Sequence, residues 1–393
     1  MIHDRRHALA RLLAHIVQAV LPRHLKPWGQ ALAHEVAAIA DGGEALRHAW
    51  GGLYGLVPRA MLFHLSHGMA ILAGAAPDGG PDSDMGAFGG RMWRRPRLIG
   101  LACAIGAVLL GLIHMALAGA PPRYLGINAA ALVIGLALLV LLDSLAVSPR
   151  TRPGRIMLAM SLLLPATALF GTGVEGAARW VAIGPLFIQP SLVLIPPMLI
   201  RFARCRSLAA TMALAIAALA MALQPDRAMA GALVAGLATL TLYAPCLQAK
   251  VALACSIAAF VATLAQPDRL PAMPHVDQII YTAFAVHPLA GIAVLGGSML
   301  LIVPAMAGQY LERDAAPVYL TFGAVWAAII AAAALGNYPT PMVGYSGAAV
   351  LGYMLSLAML PRRAAVDNAP LASAQADGPD APDRQERIAA CPA

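Results

Sequence analysis

Charged residues are scarce in this chain: Asp, Glu, Lys and Arg make up 12% of its 393 residues, while 60% are hydrophobic. With a mean hydropathy of +0.72, it carries more apolar side chain than a water-soluble domain can enclose. This excludes an ordinary soluble globule and implies a polytopic membrane protein. Cysteine is sparse too. Cys103, Cys205, Cys246, Cys255 and Cys391 show neither CxxC nor metal-ligand spacing, so the sequence supports neither a disulfide framework nor a zinc site. No His, Asp or Glu cluster has metal-ligand spacing, although a phosphate-bound Mg would need only one or two carboxylates. The first twenty residues are studded with Arg and His and lack the apolar core of a signal peptide, so the first spans are expected to act as the insertion signal. The net charge of +8 lies in short Arg clusters between apolar runs rather than on one tail. That is the pattern of membrane topology and not of a nucleic-acid footprint.

What is present falls into four parts. Residues 1–75 read as a helical module, cytosolic or on the membrane surface: HALARLLAHIVQAVL, QALAHEVAAIADG and EALRHAWGGLYGL carry apolar residues at helical spacing. The apolar run 60–75, with His64 and His67, is too short to cross a bilayer and is expected to lie at the interface or be buried. Residues 76–92 are a Gly/Pro/Asp linker, 93–363 a transmembrane domain, and 364–393 an Ala/Pro/Asp-rich tail expected to be disordered. The fold class is therefore all-α, with ten spans expected at 98–119, 125–147, 156–171, 187–200, 207–223, 228–246, 251–265, 281–305, 318–335 and 346–361. Basic residues at one set of ends are Arg94, Arg95, Arg97, Arg150, Arg152, Arg155, Arg201, Arg204, Arg206, Lys250, Arg313, Arg362 and Arg363. The alternate ends hold Arg123, Arg179, Arg227 and Arg269. Thirteen against four places both termini in the cytoplasm. The loops at 172–186, 224–227, 266–280 and 336–345 then share the outer face.

Polar residues at these loops are costly to hold at a membrane boundary and mark a candidate site. GTGVEGAARWVAIGPLFIQPSLVLI, residues 171–195, carries Glu175, Arg179, Trp180, Gln189 and Ser191. Arg179 could clamp a pyrophosphate with Trp180 at the interface, or pair with Glu175 to close the loop. Asp226-Arg227 and Asp268-Arg269 both occur in the string Gln-Pro-Asp-Arg, where a structural cap competes with a functional carboxylate. Asp143 lies within a span but close to its cytoplasmic end, where snorkelling is the simpler account. His114 and His287 read as packed, hydrogen-bonded histidines. Tyr345-Ser346-Gly347, preceded by Pro339 and Pro341, reads as a broken helix entry that lines a cavity or lets helices approach.

These residues resemble a family. GVEGAARWVAIGPLFIQPS is similar to the N-G-A-R-R-W and Q-P-S-E-x-x-K signature of the SEDS proteins, the FtsW/RodA group of integral membrane cell-wall polymerases. LQPDRAMAGALVAGLATL resembles their Q-P-D-x-G-T-A segment, and PTPMVGYSGAAVLGYMLSLAML their closing P-x-x-S-Y-G-G-S span. The resemblance covers roughly 155–361 and leaves the N-terminal module outside. It implies a bacterial inner-membrane protein that binds, and in active members polymerises, lipid II or a related undecaprenyl-linked glycolipid at an outward-facing cavity. It also implies Mg or Mn with the substrate pyrophosphate, a class B penicillin-binding protein as partner, and substrate-binding roles for Glu175, Arg179, Trp180, Gln189, Ser191, Asp226, Tyr345 and Ser346.

The chain departs from the family at informative positions. Ala178 stands for the first Arg of A-R-R-W, Glu175 for the Asn, and Leu192 and Ile195 for the Glu and Lys of Q-P-S-E-x-x-K. The Gly/Ser-rich outer loop before H-T-D-F-I-F-A-V is nearly deleted. Two alignments of that segment are open: one puts the family's catalytic Asp on Asp277, the other on Tyr281. Asp277 is the candidate base, since glycosyl transfer needs a group to take the acceptor hydroxyl proton, and the rival reading is a solvated loop Asp beside a helix start. Three functions are carried forward: an active polymerase, a catalytically inactive scaffold or partner of a cell-wall synthase, and a lipid-precursor transporter. The last calls for more ionisable residues within the spans than this chain has.

Overall fold

The computed structural model describes residues 2–21, 25–52, 55–56, 95–145, 153–174, 177–184, 186–266 and 270–361. The 60–75 run, the 76–92 linker, the 364–393 tail, Glu175, Asp268 and Arg269 lie outside the described residues, as does the side chain of Asp143. The chain divides into two compact units, Met1–Arg94 and Arg95–Ala393. In the first, α1 (Ile2–Val20), α2 (Lys26–Ala38) and α3 (42–52) enclose a small core of Ala10, Ala14, Val17, Leu21, Leu32, Val36, Ala45 and Ala49. Asp41 opens α3 by accepting from the Glu44 amide at 2.8 Å, as a short acidic side chain at a helix start does.

The second unit is an all-α membrane fold: α4 (Pro96–Leu117), α5 (Pro122–Leu145), α6 (Pro153–Phe170), α7 (Pro190–Arg204), α8 (Leu208–Leu223), α9 (Arg227–Tyr243), α10 (Leu247–Leu264), α11 (Ile279–Val286), α12 (Pro288–Leu300), α13 (Val303–Leu311), α14 (Ala316–Leu335) and α15 (Gly347–Met359). Proline is the first residue of α4, α5, α6, α7 and α12, where its missing N–H costs nothing and its fixed φ suits the helix. Among the described residues, five segments, Pro96–Leu117, Pro122–Leu142, Leu247–Leu264, Pro288–Leu311 and Arg313–Leu335, are long and apolar enough to cross a bilayer. Among the described residues Gly154–Phe170, Leu208–Leu223, Arg227–Tyr243 and Gly347–Met359 are shorter apolar helices.

Two expectations from sequence need correcting. Residues 281–305 do not form one span: α11 ends at His287, whose backbone is extended (φ −166°) because Pro288 follows it, and the apolar crossing runs from 288 to 311. The stretch expected as a loop at 172–186, before the fourth span, holds strands instead. β1 (Thr172–Val174), β2 (Ala177–Ile183) and β3 (Leu186–Ile188) form an antiparallel sheet in that order, and α7 begins only at Pro190. The β-branched and aromatic run Trp180-Val181-Ala182-Ile183 suits a strand, and Gly184, at φ 57°, makes the turn into β3.

Helix ends are tied by arginines donating to C-terminal carbonyls, the groups a helix leaves unpaired. At one end of the bundle Arg97 donates to the Leu357 oxygen (3.1 Å), Arg204 to that of Met359 (2.9 Å) and Arg206 to that of Ala244 (3.1 Å). At the other, Arg227 donates to Thr263 (3.0 Å) and Gln266. The start of α4 and the ends of α7 and α15 therefore share one side, and the start of α9 and the end of α10 share the opposite side.

Candidate functional site at the loop end of the bundle

The site is built from two polar clusters joined by the segment 336–346. In the first, Asp226 closes the N-terminus of α9, its Oδ1 accepting the Met229 amide at 3.2 Å. Its Oδ2 accepts from the Gln189 side-chain amide at 2.8 Å and the Ser191 hydroxyl at 2.9 Å. The Gln-Pro-Ser and Gln-Pro-Asp turns, separated by 35 residues in Ser191 and Asp226, thus bond to each other. Asp226 is 0% exposed, and a buried carboxylate is tolerable only with such donors.

Arg179, on β2, is 2% exposed. Its guanidinium donates to the Gln224 carbonyl at 3.3 Å and to that of Pro225, the end of α8. It also lies 5.8 Å from the centroid of the Tyr338 ring, a cation–π distance. Trp180, the next residue of the strand, faces the opposite side of the sheet. Gln224 donates to the Leu164 carbonyl at 2.6 Å, and Gln266, from the second Gln-Pro-Asp-Arg string, donates to Ala222 at 3.0 Å.

The second cluster surrounds Asp277. Its backbone pairs with Pro339, one residue beyond Tyr338. Thr340 N–H donates to the Val276 carbonyl at 3.0 Å and Tyr345 N–H to that of His275 at 2.8 Å. The Asp277 carboxylate accepts the Met273 amide at 2.8 Å on Oδ2. Burial raises its pKa above the ordinary 3.8, and the Met273 hydrogen bond partly opposes this. His275 and Gln278, either side of it, hold left-handed backbone at φ 63° and 57°, a conformation that costs non-glycine residues about 1 kcal/mol or more each. The ring of Tyr345 stacks on Tyr124 of α5 at 4.0 Å between centroids, inclined by 12°, with the Arg123 guanidinium 5.3 Å from the Tyr124 centroid. Burial also raises the Tyr345 hydroxyl pKa, the nearby Arg123 opposing it.

The loops expected to share a face therefore do share one, linked by hydrogen bonds from the sheet to 224–226, from 222 to 266, and from 275–277 to 340–345. Of the residues singled out from sequence, Arg179, Gln189, Ser191 and Asp226 come together in the first cluster. Asp277 and Tyr345 come together in the second, with Ser346 beside it. Trp180 makes no hydrogen bond or ring contact to either cluster among the described residues.

No protein-family model matches the chain, and no curated protein matches it. Among solved structures, it is similar to the crystal structure of the rod shape determining protein RodA from Thermus thermophilus. That match has 20% identity and a TM-score of 0.49, covering 66% of this chain and 94% of that one. A point mutant of the same protein aligns with a TM-score of 0.48 at 20% identity, over 66% and 95% of the two chains.

Several contributing residues escaped the sequence reading. Asn128 was signalled only by being an amide inside an apolar run. Tyr124 and Tyr338 carried no signal apart from lying near span ends, whereas His275 stood at the His of H-T-D in the alignment that keeps Asp277. Leu192 and Ile195, which stand where the resemblance calls for charges, are buried, and the Leu192 carbonyl lies where a Cβ on Gly352 would meet it at 2.1 Å. These positions are helix packing between α7 and α15. Among the described residues no group of three or more His, Cys, Asp or Glu could hold a metal, and Asp226 is fully engaged by protein donors.

Proposed function

We propose that this is a divergent SEDS-like protein of bacterial cell-wall biogenesis that binds lipid II or a related undecaprenyl-linked glycolipid on the outer face of the inner membrane and polymerises it. Both termini are then cytoplasmic, and a class B penicillin-binding protein is the expected partner. Asp277 is the general base. It takes the proton from the acceptor sugar hydroxyl as that oxygen forms the new glycosidic bond, while the bond from the donor's anomeric carbon to the lipid diphosphate breaks and the diphosphate leaves with its electron pair.

The observation that carries this reading is the Asp277 loop. It is a partly desolvated carboxylate with strained backbone on either side, bonded to the Tyr345 segment at the end where the Gln-Pro-Ser and Gln-Pro-Asp turns meet. Such strain is held where the surrounding structure over-determines it. In this reading Arg179, Gln189, Ser191 and Asp226 act as the frame of the site, since their polar groups already bond within the protein, and Tyr345 stands nearer the substrate.

The second reading, a non-catalytic SEDS-like scaffold, is favoured by the apolar packing of Leu192 and Ile195. One assay separates the two. Purified protein is given labelled lipid II with Mg or Mn, and glycan chains are resolved by gel. Chains from the wild type support the polymerase, whereas lipid II binding without chains supports the scaffold.

A further inference from the structure

Asn128 lies in α5, 0% exposed, and no motif accounts for it. Both ends of its amide are used. Nδ2 donates to the Gly344 carbonyl at 2.7 Å, and Oδ1 accepts the Ser346 amide at 3.2 Å. One side chain therefore brackets Tyr345 from a helix more than 200 residues earlier in the chain, fixing the peptides on either side of it. Tyr345 passes the constraint on in two ways: its amide donates to the His275 carbonyl at 2.8 Å, and its ring stacks on Tyr124, one turn before Asn128 on the same helix. His275 is two residues from Asp277. The segment cannot be held by regular structure, because residues 337–346 are irregular and Met342 has φ 64°. The nearby glycine on α4 lets this irregular backbone approach: a Cβ on Gly111 would meet Val343 Cα at 2.6 Å and the Met342 oxygen at 2.8 Å.

We propose that Asn128 is a positioning residue for Asp277, acting through residues 344–346 and the His275 carbonyl. Buried backbone groups in an irregular segment must find partners, and a single amide that serves two of them selects one arrangement of the segment. Without it, the Gly344 carbonyl and Ser346 amide are left unpaired although both residues are buried. The segment then shifts to recover partners, and the turn carrying Asp277 shifts with it. The proposal rests on the reading of Asp277 as the base, but its main test does not.

Hydrogen exchange measured by mass spectrometry on detergent-solubilised Asn128→Leu, close in size but unable to hydrogen-bond, reports the coupling directly. Exchange is expected to rise at least tenfold both in peptides covering 339–346 and in those covering 270–278, with the 177–188 hairpin unchanged. Ser161→Ala, which removes another side-chain hydrogen bond to a carbonyl, leaves both peptides at wild-type rates. Asn128→Asp keeps the acceptor for Ser346 and loses the donor to Gly344, so it gives an intermediate rise and serves if the leucine variant does not fold. A rise confined to 339–346, or no rise, overturns the proposal. In the polymerisation assay the same variants lower kcat at least tenfold while KM for lipid II stays within about twofold, and a loss expressed only in KM also overturns it. Inactivity of the wild type would instead count against the polymerase reading and leave the exchange result standing.

Discussion

At the scale of single residues, the two carboxylates of the site differ in what surrounds them. Asp226 is held by Gln189, Ser191 and the Met229 amide, and its replacement by Ala leaves the Ser191 hydroxyl and Met229 amide without their acceptor and Gln189 with only the Ser191 oxygen. The expected loss of stability is about 2–4 kcal/mol, read as a lowered midpoint of thermal unfolding in detergent. Asp277 has one amide donor and a raised pKa. Because its carboxylate form is the disfavoured one in the folded protein, it contributes stability below the ordinary carboxylate value of 3.8, and that contribution is lost as pH rises through the higher folded value. As a base it must be ionised, so kcat/KM for polymerisation is expected to rise with pH along a limb whose midpoint lies above 3.8. A limb at or below that value would remove the desolvated carboxylate from the mechanism. Asp226 was legible as a helix cap from its place after Gln-Pro. That its partners would be Gln189 and Ser191 was not, since nothing local to either turn specifies a contact across 35 residues.

At the scale of elements, the helices followed from apolar run length and from proline at their first residues. Two departures came from competing local rules. Pro288 forces the preceding residue out of the helix and splits the expected eighth span, and a run of β-branched and aromatic residues at 180–183 pairs into a sheet where a loop was expected. Leu192 and Ile195, the positions where the sequence resemblance calls for charges, are instead buried on α7, which packs on α15. Gly352 sits against the Leu192 carbonyl, so Gly352→Ala is expected to cost about 3 kcal/mol through overpacking. Restoring the family-like charge with Ile195→Lys would bury an unpaired ammonium in the same layer. That variant is expected to fall to less than a tenth of the wild-type yield of monodisperse protein, while Ile195→Leu purifies normally. Normal folding of the lysine variant would show that the α7–α15 layer has room or a partner for a charge.

At the scale of the whole molecule, alternation of basic residues assigned loop ends to two sides, and the hydrogen bonds between loops reproduce that division without any reference to charge. The convergence of four loops on one end was thus legible in the sequence. The link between their two clusters was not, because it runs through Tyr338 and Pro339, whose neighbours are set only by the tertiary path of an irregular segment. Under the proposed polymerase reading, Asp277 is the reactive carboxylate, on a turn with left-handed backbone at His275 and Gln278, and Asp226 holds the frame. The most direct test is the rate of lipid II polymerisation by Asp277→Asn and Asp226→Asn, normalised to the folded fraction of each. The account predicts that Asp277→Asn unfolds no earlier than wild type and makes no glycan, while Asp226→Asn unfolds at lower temperature and keeps at least a tenth of the wild-type rate per folded molecule. Glycan synthesis by Asp277→Asn at the wild-type rate would contradict it.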